Sequence, residues 1–307
     1  MNQRHLIAMG RCVLMIVVLA VLGRATIVHA QPAETGKLTI ATYNILNMFD
    51  VFDNPYTEDE GTRVKPRREI EQVAALIRQM NADVVAFQEL ENVQLLHALV
   101  EEFLPDMGYT YIAAGPSNSH RGITNGIISR VPIASMTSYR HRRLTLEGSD
   151  KTWKFARDLV QVTLQLDDQQ TLDLFIVHFK SKRTTEGDPQ SANWRLAEAI
   201  EVRKIFDKLL ADDPDARAVI VGDFNDTADS APLARLLKNN APLIDLHPNT
   251  QANTYLNEPY RNRIDYILAT PALAKHVVPD SAKVITDEAL LKGSDHAPVV
   301  ATFDVGE

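Results

Sequence analysis

The feature that most constrains this chain is an alternation that runs without a linker from residue 38 to residue 304. Short runs rich in β-branched residues trade places with stretches of helical periodicity. Residues 38–43 (LTIATY) read as a strand. Residues 66–80 read as a helix, because Ile70, Val73, Ala74 and Ile77 fall on one face behind Pro66. Residues 83–88 form a buried-type strand and 92–103 a second helix. Residues 123–129, 159–166 and 172–179 are strands, with Asp167, Asp168, Gln169 and Gln170 turning the chain between the last two. The longest helix is expected over 192–211, with Leu196, Ala199, Ile200, Phe206, Leu209 and Leu210 on its buried face and Glu198, Glu201 and Lys208 elsewhere. Residues 218–221, 263–268 and 298–303 add three strands. Hairpins and crossovers in one chain imply a single domain over 38–304 with helices outside its sheets.

Residues 1–30 have a different character. Arg4, His5 and Arg11 precede an uncharged apolar run at 13–22, and Val28, His29 and Ala30 follow with small residues at the two positions a signal peptidase reads. The run is well short of the ~20 residues that span a bilayer. The expectation is a signal peptide cleaved near Ala30, a linker over 31–37, and a secreted or periplasmic mature protein with no stable membrane span. Residues 1–30 hold three of the 32 basic residues and none of the 40 acidic ones, so the net charge goes from −8 to −11 on their removal. The only cysteine, Cys12, leaves with them, which excludes a disulfide or a cysteine-held metal in the mature chain. An acidic protein does not bind polyanions indiscriminately; local cations must do it.

Polar residues recur where the strands end: Asn44 after LTIATY, Glu89 after VVAFQ, His178 in FIVHFK, Asp223 and Asn225 in VIVGDFND, Asp265 in RIDYIL, and Asp295 with His296 in SDHAPVV. Singly, each has an ordinary explanation as a cap, a turn residue or a satisfied core histidine. Together they form a hard oxygen set suited to Mg²⁺ or Mn²⁺, with histidines able to act near neutral pH. No spacing suits a structural zinc, no glycine-rich loop suits a P-loop nucleotidase, and neither Ser181 nor Ser294 sits in a nucleophile elbow.

The ordered segments TYNILN, FQELEN, NGIISR, VHFKSK, VGDFND, RIDYIL and SDHAPV resemble the endonuclease/exonuclease/phosphatase superfamily, the DNase-I-like fold, over residues 38–304. The resemblance implies an α/β (α+β) four-layer αββα sandwich: two mixed β-sheets packed face to face and flanked by helices. It also implies hydrolysis of phosphate esters with Mg²⁺ or Mn²⁺, by metal-assisted attack of water. Carried over position by position, it makes Glu89 the principal metal ligand, Asn44 a residue that orders the metal site, and Asp295 a metal- or water-binding neighbour. Asp223 becomes the acceptor for the attacking water, Asn225 a donor to a phosphoryl oxygen and His178 a histidine near the scissile phosphate. His296 is the catalytic histidine, held by Asp265. Asn125, Arg157, Lys180 and Arg195 are candidate substrate contacts, while Lys182 and Arg183 fit a solvated face as well as a phosphate-binding edge.

A secreted nuclease or phosphodiesterase acting as a monomer on DNA, RNA or another phosphate ester is the leading expectation. The basic runs at Arg140, His141, Arg142 and Arg143, and at Lys180, Lys182 and Arg183, favour it, while the net charge argues against it. A sphingomyelinase-like phospholipid phosphodiesterase or a phosphatase for inositol or organic phosphates is the alternative. Membrane action would require an exposed aromatic hairpin, for which Met48, Phe49, Val51 and Phe52 are scattered candidates. A non-catalytic binding protein is disfavoured, since every main reactive position is filled.

Overall fold

The structure is a computed structural model that describes residues 36–238 and 242–306. The expected leader and its cleavage point therefore lie outside the described residues. In chain order come β1 (Lys37–Met48), α1 (Arg67–Met80), β2 (Val84–Leu90), α2 (Val93–Phe103) and β3 (Tyr111–Ala114). Next are β4 (Thr124–Ser129), β5 (Ile133–Ser138), β6 (Leu144–Thr145), β7 (Thr152–Trp153), β8 (Val160–Gln165) and β9 (Thr171–His178). Then α3 (Ala192–Asp212), β10 (Ala218–Asp223), α4 (Ala231–Leu237) and β11 (Ile244–Asp245) lead to β12 (Asp265–Ala269), α5 (Pro271–Ala274), β13 (Lys283–Val284) and β14 (Val299–Asp304).

The strands form two six-stranded mixed sheets, ordered β13-β14-β1-β2-β4-β3 and β11-β12-β10-β9-β8-β5, plus a small β6-β7 ribbon. Side-chain alternation assigns the layers. Leu38 and Ile40 of β1, Val84 and Ala86 of β2, Leu174 and Ile176 of β9, and Val219 and Val221 of β10 meet in one apolar layer between the sheets. The opposite faces of β1 and β2 (Ala41, Tyr43, Val85, Phe87) pack on α1 and α2 through Val73, Ile77, Leu96 and Leu99. The outer face of the second sheet (Phe175, Val177, Ala218, Ile220) packs on α3 and α4 through Val202, Phe206, Leu233 and Leu236. This is the four-layer αββα sandwich.

Helix ends follow ordinary capping physics. Pro66 precedes α1, Glu69 sits in its first turn and Arg78 in its last, and Asn81 closes it in the left-handed region. The Asn92 side chain accepts from the Leu95 amide at the start of α2. Helix α3 departs from the expected amphipathic division. Glu198 and Glu201 are buried, whereas Leu196, Ile200, Leu209 and Leu210 are only partly covered. Glu198 faces inward because its carboxylate accepts the amides of Ala156 and Lys180, tying two loops to the helix. The short strands β3, β5, β6, β7, β11 and β13, and helix α4, were not expected from the pattern.

One glycine sets the spacing of the second sheet. Gly222 has φ +137°, and a Cβ there would collide with the Val177 carbonyl oxygen on β9. Only glycine lets β10 approach β9 this closely while adopting that backbone. Gly222→Ala is expected to destabilise the fold by about 3 kcal/mol, the upper end of the usual cost of overpacking. Urea unfolding would show this as a lowered midpoint at unchanged slope; a midpoint equal to wild type would refute it.

Candidate active site

The site is built on one rung of the second sheet. On parallel strands β9 and β10, His178 lies opposite Asp223; on antiparallel β10 and β12, Asp223 lies opposite Asp265. All three continue the inward-facing series of their strands, so the alternation that buries Ile176, Val221 and Ile267 aims His178, Asp223 and Asp265 into the gap between the sheets. From the first sheet, Asn44 continues the inward series of β1 and donates from Nδ2 to Asp223 Oδ2 at 3.1 Å, bridging the two sheets.

Glu89 does not follow the alternation. It has φ +63°, at a register shift between β2 and β4, and Leu46 and Asn47 on the neighbouring strand also have positive φ. These distortions bring the Asn47 amide to Glu89 Oε2 at 3.1 Å and put Glu89 on the cavity wall. Non-glycine residues in this region cost energy that the surrounding structure must hold, and such strain concentrates at functional sites.

The loop before β14 supplies the rest. Ser294 donates to the Asn44 carbonyl at 2.7 Å and accepts the His296 amide at 3.1 Å. His296 Nδ1 meets Asp265 Oδ2 at 2.8 Å, leaving Nε2 directed towards Asp223 Oδ2 and Asp295 Oδ1, each at 4.0 Å. Tyr255 packs edge-on to the imidazole at 5.2 Å. Thr254 Oγ1 accepts the amides of Ile264 and Asp265, fixing the strand that carries the carboxylate.

Burial and charge set the protonation states. Burial alone disfavours a charged His296, but the carboxylates of Asp265, Asp223 and Asp295 outweigh it and raise its pKa to about 10. Burial and the nearby Asp265 push Asp223 up to about 7, against the opposing pull of His296. His178 is held neutral, its pKa lowered by burial and by Arg157. Asp295 is also raised by burial, with Glu89 adding repulsion.

A cavity of about 760 Å³ opens over these groups. Glu89, Asp223, Asp295, His178 and His296 line its floor, and Arg121, Lys182 and Arg183 its rim. Its donors suit a divalent cation. Asp223, Asp265 and His296 place possible ligand atoms within 4.8 Å of one another. His296 engages Asp265 Oδ2 but leaves Asp265 Oδ1 buried without a partner, so the Asp265 and Asp295 carboxylates each keep an oxygen open to a cation. Asp295 Oδ1 is buried without a hydrogen-bond partner, which is costly for an anionic oxygen unless a cation meets it.

The structure brings Glu89, His178, Asp223, Asn225, Asp295 and His296 to one cavity, with Asn44 and Asp265 directly beneath. Asn225 has φ +52° and donates from Nδ2 to Asp223 Oδ2 and to the Phe179 carbonyl, while its amide reaches Asp223 Oδ1 at 2.8 Å. Arg157 and Lys180 line an adjoining hollow. Asn125 and Arg195 are not on these walls. Asn125 is buried and donates to the carbonyls of Asp158 and Ile176. Arg195 is buried in a 3.0 Å ion pair with Asp226 through Nε, and its Nη1 donates to the carbonyls of Lys180 and Gln190. Sequence patterns missed Tyr255, Tyr260 and Asn262 on the wall, and Asn257, which donates to Asp295 Oδ2 at 2.8 Å. They come from an irregular segment with no periodicity to betray them.

Residues 39–256 match the sequence model of the Endonuclease/Exonuclease/phosphatase family. A search of curated proteins returns no match. Among solved structures, the human nocturnin catalytic domain with bound sulfate anion is similar at TM-score 0.63 and 15% identity, covering 88% of this chain and 94% of that one. An endonuclease/exonuclease/phosphatase family protein from Bacteroides thetaiotaomicron is similar at 0.61 and 19%, covering 89% and 100%. Truncated Caenorhabditis elegans TDP2 is similar at 0.54 and 16%, covering 87% and 98%. At these identities the likeness is one of fold.

The His296–Asp265 pair predicts a pH dependence for the metal-free protein. The folded pKa of His296, about 10, lies above its ordinary value of 6.5, so the pair's stabilisation is complete below about pH 6.5 and lost as pH rises through 10. In EDTA, unfolding free energy should fall across that window in wild type and stay flatter in Asp265→Asn. NMR titration of His296 should show its pKa moving towards the ordinary imidazole range in the variant. An unmoved titration would detach His296 from Asp265.

Proposed function

The chain belongs to the endonuclease/exonuclease/phosphatase family, whose members are metal-dependent phosphoester hydrolases, and from that premise we propose that it is a phosphodiesterase acting on nucleic acid with Mg²⁺ or Mn²⁺. The observation that carries this reading is the opposition within one cavity of an acidic, histidine-bearing floor and a cationic rim of Arg121, Lys182 and Arg183. The rim attracts a phosphate that the floor alone would repel.

Glu89, held by the Asn47 amide, and Asp295, held by the Asn257 side chain, would bind the divalent cation. Bound there, it would supply Lewis-acid stabilisation of the charge that develops on the phosphoryl oxygens. Asp223, whose pKa is raised to about 7, accepts a proton from the attacking water near neutral pH. The new bond forms between that water oxygen and phosphorus as the bond to the leaving oxygen breaks on the opposite side; the leaving oxygen departs with the bonding pair and takes a proton from solvent, and Asp223 gives its proton back to solvent. His296, kept protonated by Asp265, offers its Nε2–H to a phosphoryl oxygen. His178 stays neutral, with its Nε2 3.4 Å from Asp223 Oδ2. Asn225 locks Asp223 from the other side and turns its amide to the substrate when that is bound.

A second reading, a phospholipid phosphodiesterase, draws on one observation. The loop after β1 exposes Val51, Phe52 and Tyr56, and Tyr260 is exposed at the cavity mouth. Met48 and Phe49, by contrast, are buried in the core. Carboxylates of Asp50, Asp53, Glu58 and Glu60 stand in and beside the apolar run and disfavour an anionic membrane. Among the described residues no helix is long and apolar enough to cross a membrane. Export is part of the proposal: N-terminal sequencing of protein recovered outside the cytoplasm should begin at Gln31, and a retained apolar run at 13–22 would mean an anchor.

Activity on bis-p-nitrophenyl phosphate and on DNA or RNA should vanish in EDTA and return with Mg²⁺ or Mn²⁺. Sphingomyelin cleaved in preference to both would transfer the assignment to the second reading, and full activity in protein shown by elemental analysis to be metal-free would overturn the metal requirement. His296→Ala should lower kcat by about 10²–10³-fold, the usual cost of losing a donor to the charge developing in the transition state. Asp265→Asn should cost less, and the double variant should resemble His296→Ala alone. Losses that multiply would show that the two residues act independently.

A further inference from the structure

The cavity continues past its cationic rim. Arg121 and Arg183 also line a second hollow of about 310 Å³ that contains Lys180 and Trp194. Trp194 in turn belongs to a third hollow of about 760 Å³, walled by His141, Arg143, Trp153 and Lys154. No carboxylate lines this third hollow, and the second has only Glu89, which it shares with the catalytic floor. In a chain of net charge −8, Arg121, Arg157, Lys180, Arg183, Arg143 and Lys154 thus line one trough that leads from the site.

The trough has a fixed aromatic element. The Trp194 indole donates from Nε1 to the Lys154 carbonyl at 2.9 Å, and the Lys180 ammonium lies 5.3 Å from the centre of its ring. Trp153, on the β6-β7 ribbon, packs partly on the core beneath α3. Arg143 and Lys154 are exposed. Indoles held rigidly beside free cations provide two interactions at once: a surface on which a base stacks, and charges that meet the phosphates on either side of it. A base inside a duplex has no free face to stack, which selects an unpaired strand. The exposed apolar side chains of the β1–α1 loop lie outside these walls, so the trough has no element that favours lipid.

We propose that this trough is a subsite for single-stranded nucleic acid, in which a base rests against Trp194 and Trp153 while Lys180, Lys154 and Arg143 hold adjacent phosphates, delivering a neighbouring phosphodiester to the catalytic cavity. The inference rests on the phosphodiesterase reading above and adds a substrate form to it: length and single-strandedness matter, and recognition is by stacking.

The test uses the mature protein with Mg²⁺ or Mn²⁺. Its substrates are bis-p-nitrophenyl phosphate, single-stranded oligonucleotides of two to ten residues, the matching duplex and sphingomyelin vesicles. The variants are Trp194→Ala, Trp194→Phe and the surface pair Arg143→Ala/Lys154→Ala, each checked by circular dichroism. In wild type, kcat/KM should rise with oligonucleotide length and exceed that on duplex. Trp194→Ala should lower the ratio of kcat/KM on the ten-residue strand to that on bis-p-nitrophenyl phosphate by about tenfold, chiefly through KM, as loss of one stacked base implies. Trp194→Phe should restore most of it. The Arg143→Ala/Lys154→Ala pair should make the salt dependence shallower by about 0.7 in log–log slope for each phosphate that the protein no longer neutralises. A ratio unchanged in every variant, no dependence on length, a preference for duplex, or an effect confined to vesicles would each overturn the subsite. If wild type fails to hydrolyse bis-p-nitrophenyl phosphate and every oligonucleotide, the phosphodiesterase reading itself falls. A wild type active on the small diester with variants that lose both substrates equally would reject only the trough.

Discussion

The site depends on the position of the Asp223 carboxylate. Hydrogen bonds from Asn44 of the opposite sheet and from the amide and side chain of Asn225 fix it, with His178 Nε2 at 3.4 Å and His296 Nε2 at 4.0 Å from its Oδ2. A buried carboxylate beside Glu89, Asp265 and Asp295 is held against repulsion and desolvation, and both raise its affinity for a proton. The same crowding keeps His296 charged and gives a cation a reason to bind. Sheet register, protonation and metal affinity are therefore not separate properties here. They follow from placing that carboxylate where four strands from two sheets come to an end.

Ordinary strand geometry reaches only part of the way to this arrangement. Alternation alone delivers Asn44, His178, Asp223 and Asp265, because each extends the inward series of its strand. Glu89 and Asn225 sit in the left-handed region instead, and so do Leu46 and Asn47. These are the places where the backbone leaves the regular sheet to aim an amide or a carboxylate into the cavity. The apolar layers on either side hold that distortion in place.

The same distinction explains what could be seen in the sequence. Long periodic segments such as α1, α3, β9 and β10 were legible because a buried face imposes a period. Edge strands were not: β5 exposes five of its six residues, and β6, β11 and β13 have only two residues each. Of the site, the residues that end core strands were legible, and their order along the chain carried the resemblance. Tyr255, Asn257 and Tyr260 come from an irregular segment. Only the assembled fold shows that they reach Asp295 or the cavity mouth. Arg195 and Asn125 looked like substrate contacts because they are polar and adjacent to motifs. Arg195 Nε and Nη1 and Asn125 Nδ2 instead hold Asp226 and main-chain carbonyls.

The pairing of β1 with β14 has a consequence for the timing of synthesis. The second strand edge of β1, over 37–42, is covered by residues 299–304, and His296 arrives just ahead of them. During translation the first sheet keeps an open flank, and the second sheet's catalytic rung lacks His296 beside it, until nearly the whole domain has been made. The hydrolase's candidate site is therefore complete only once β14 has docked against β1.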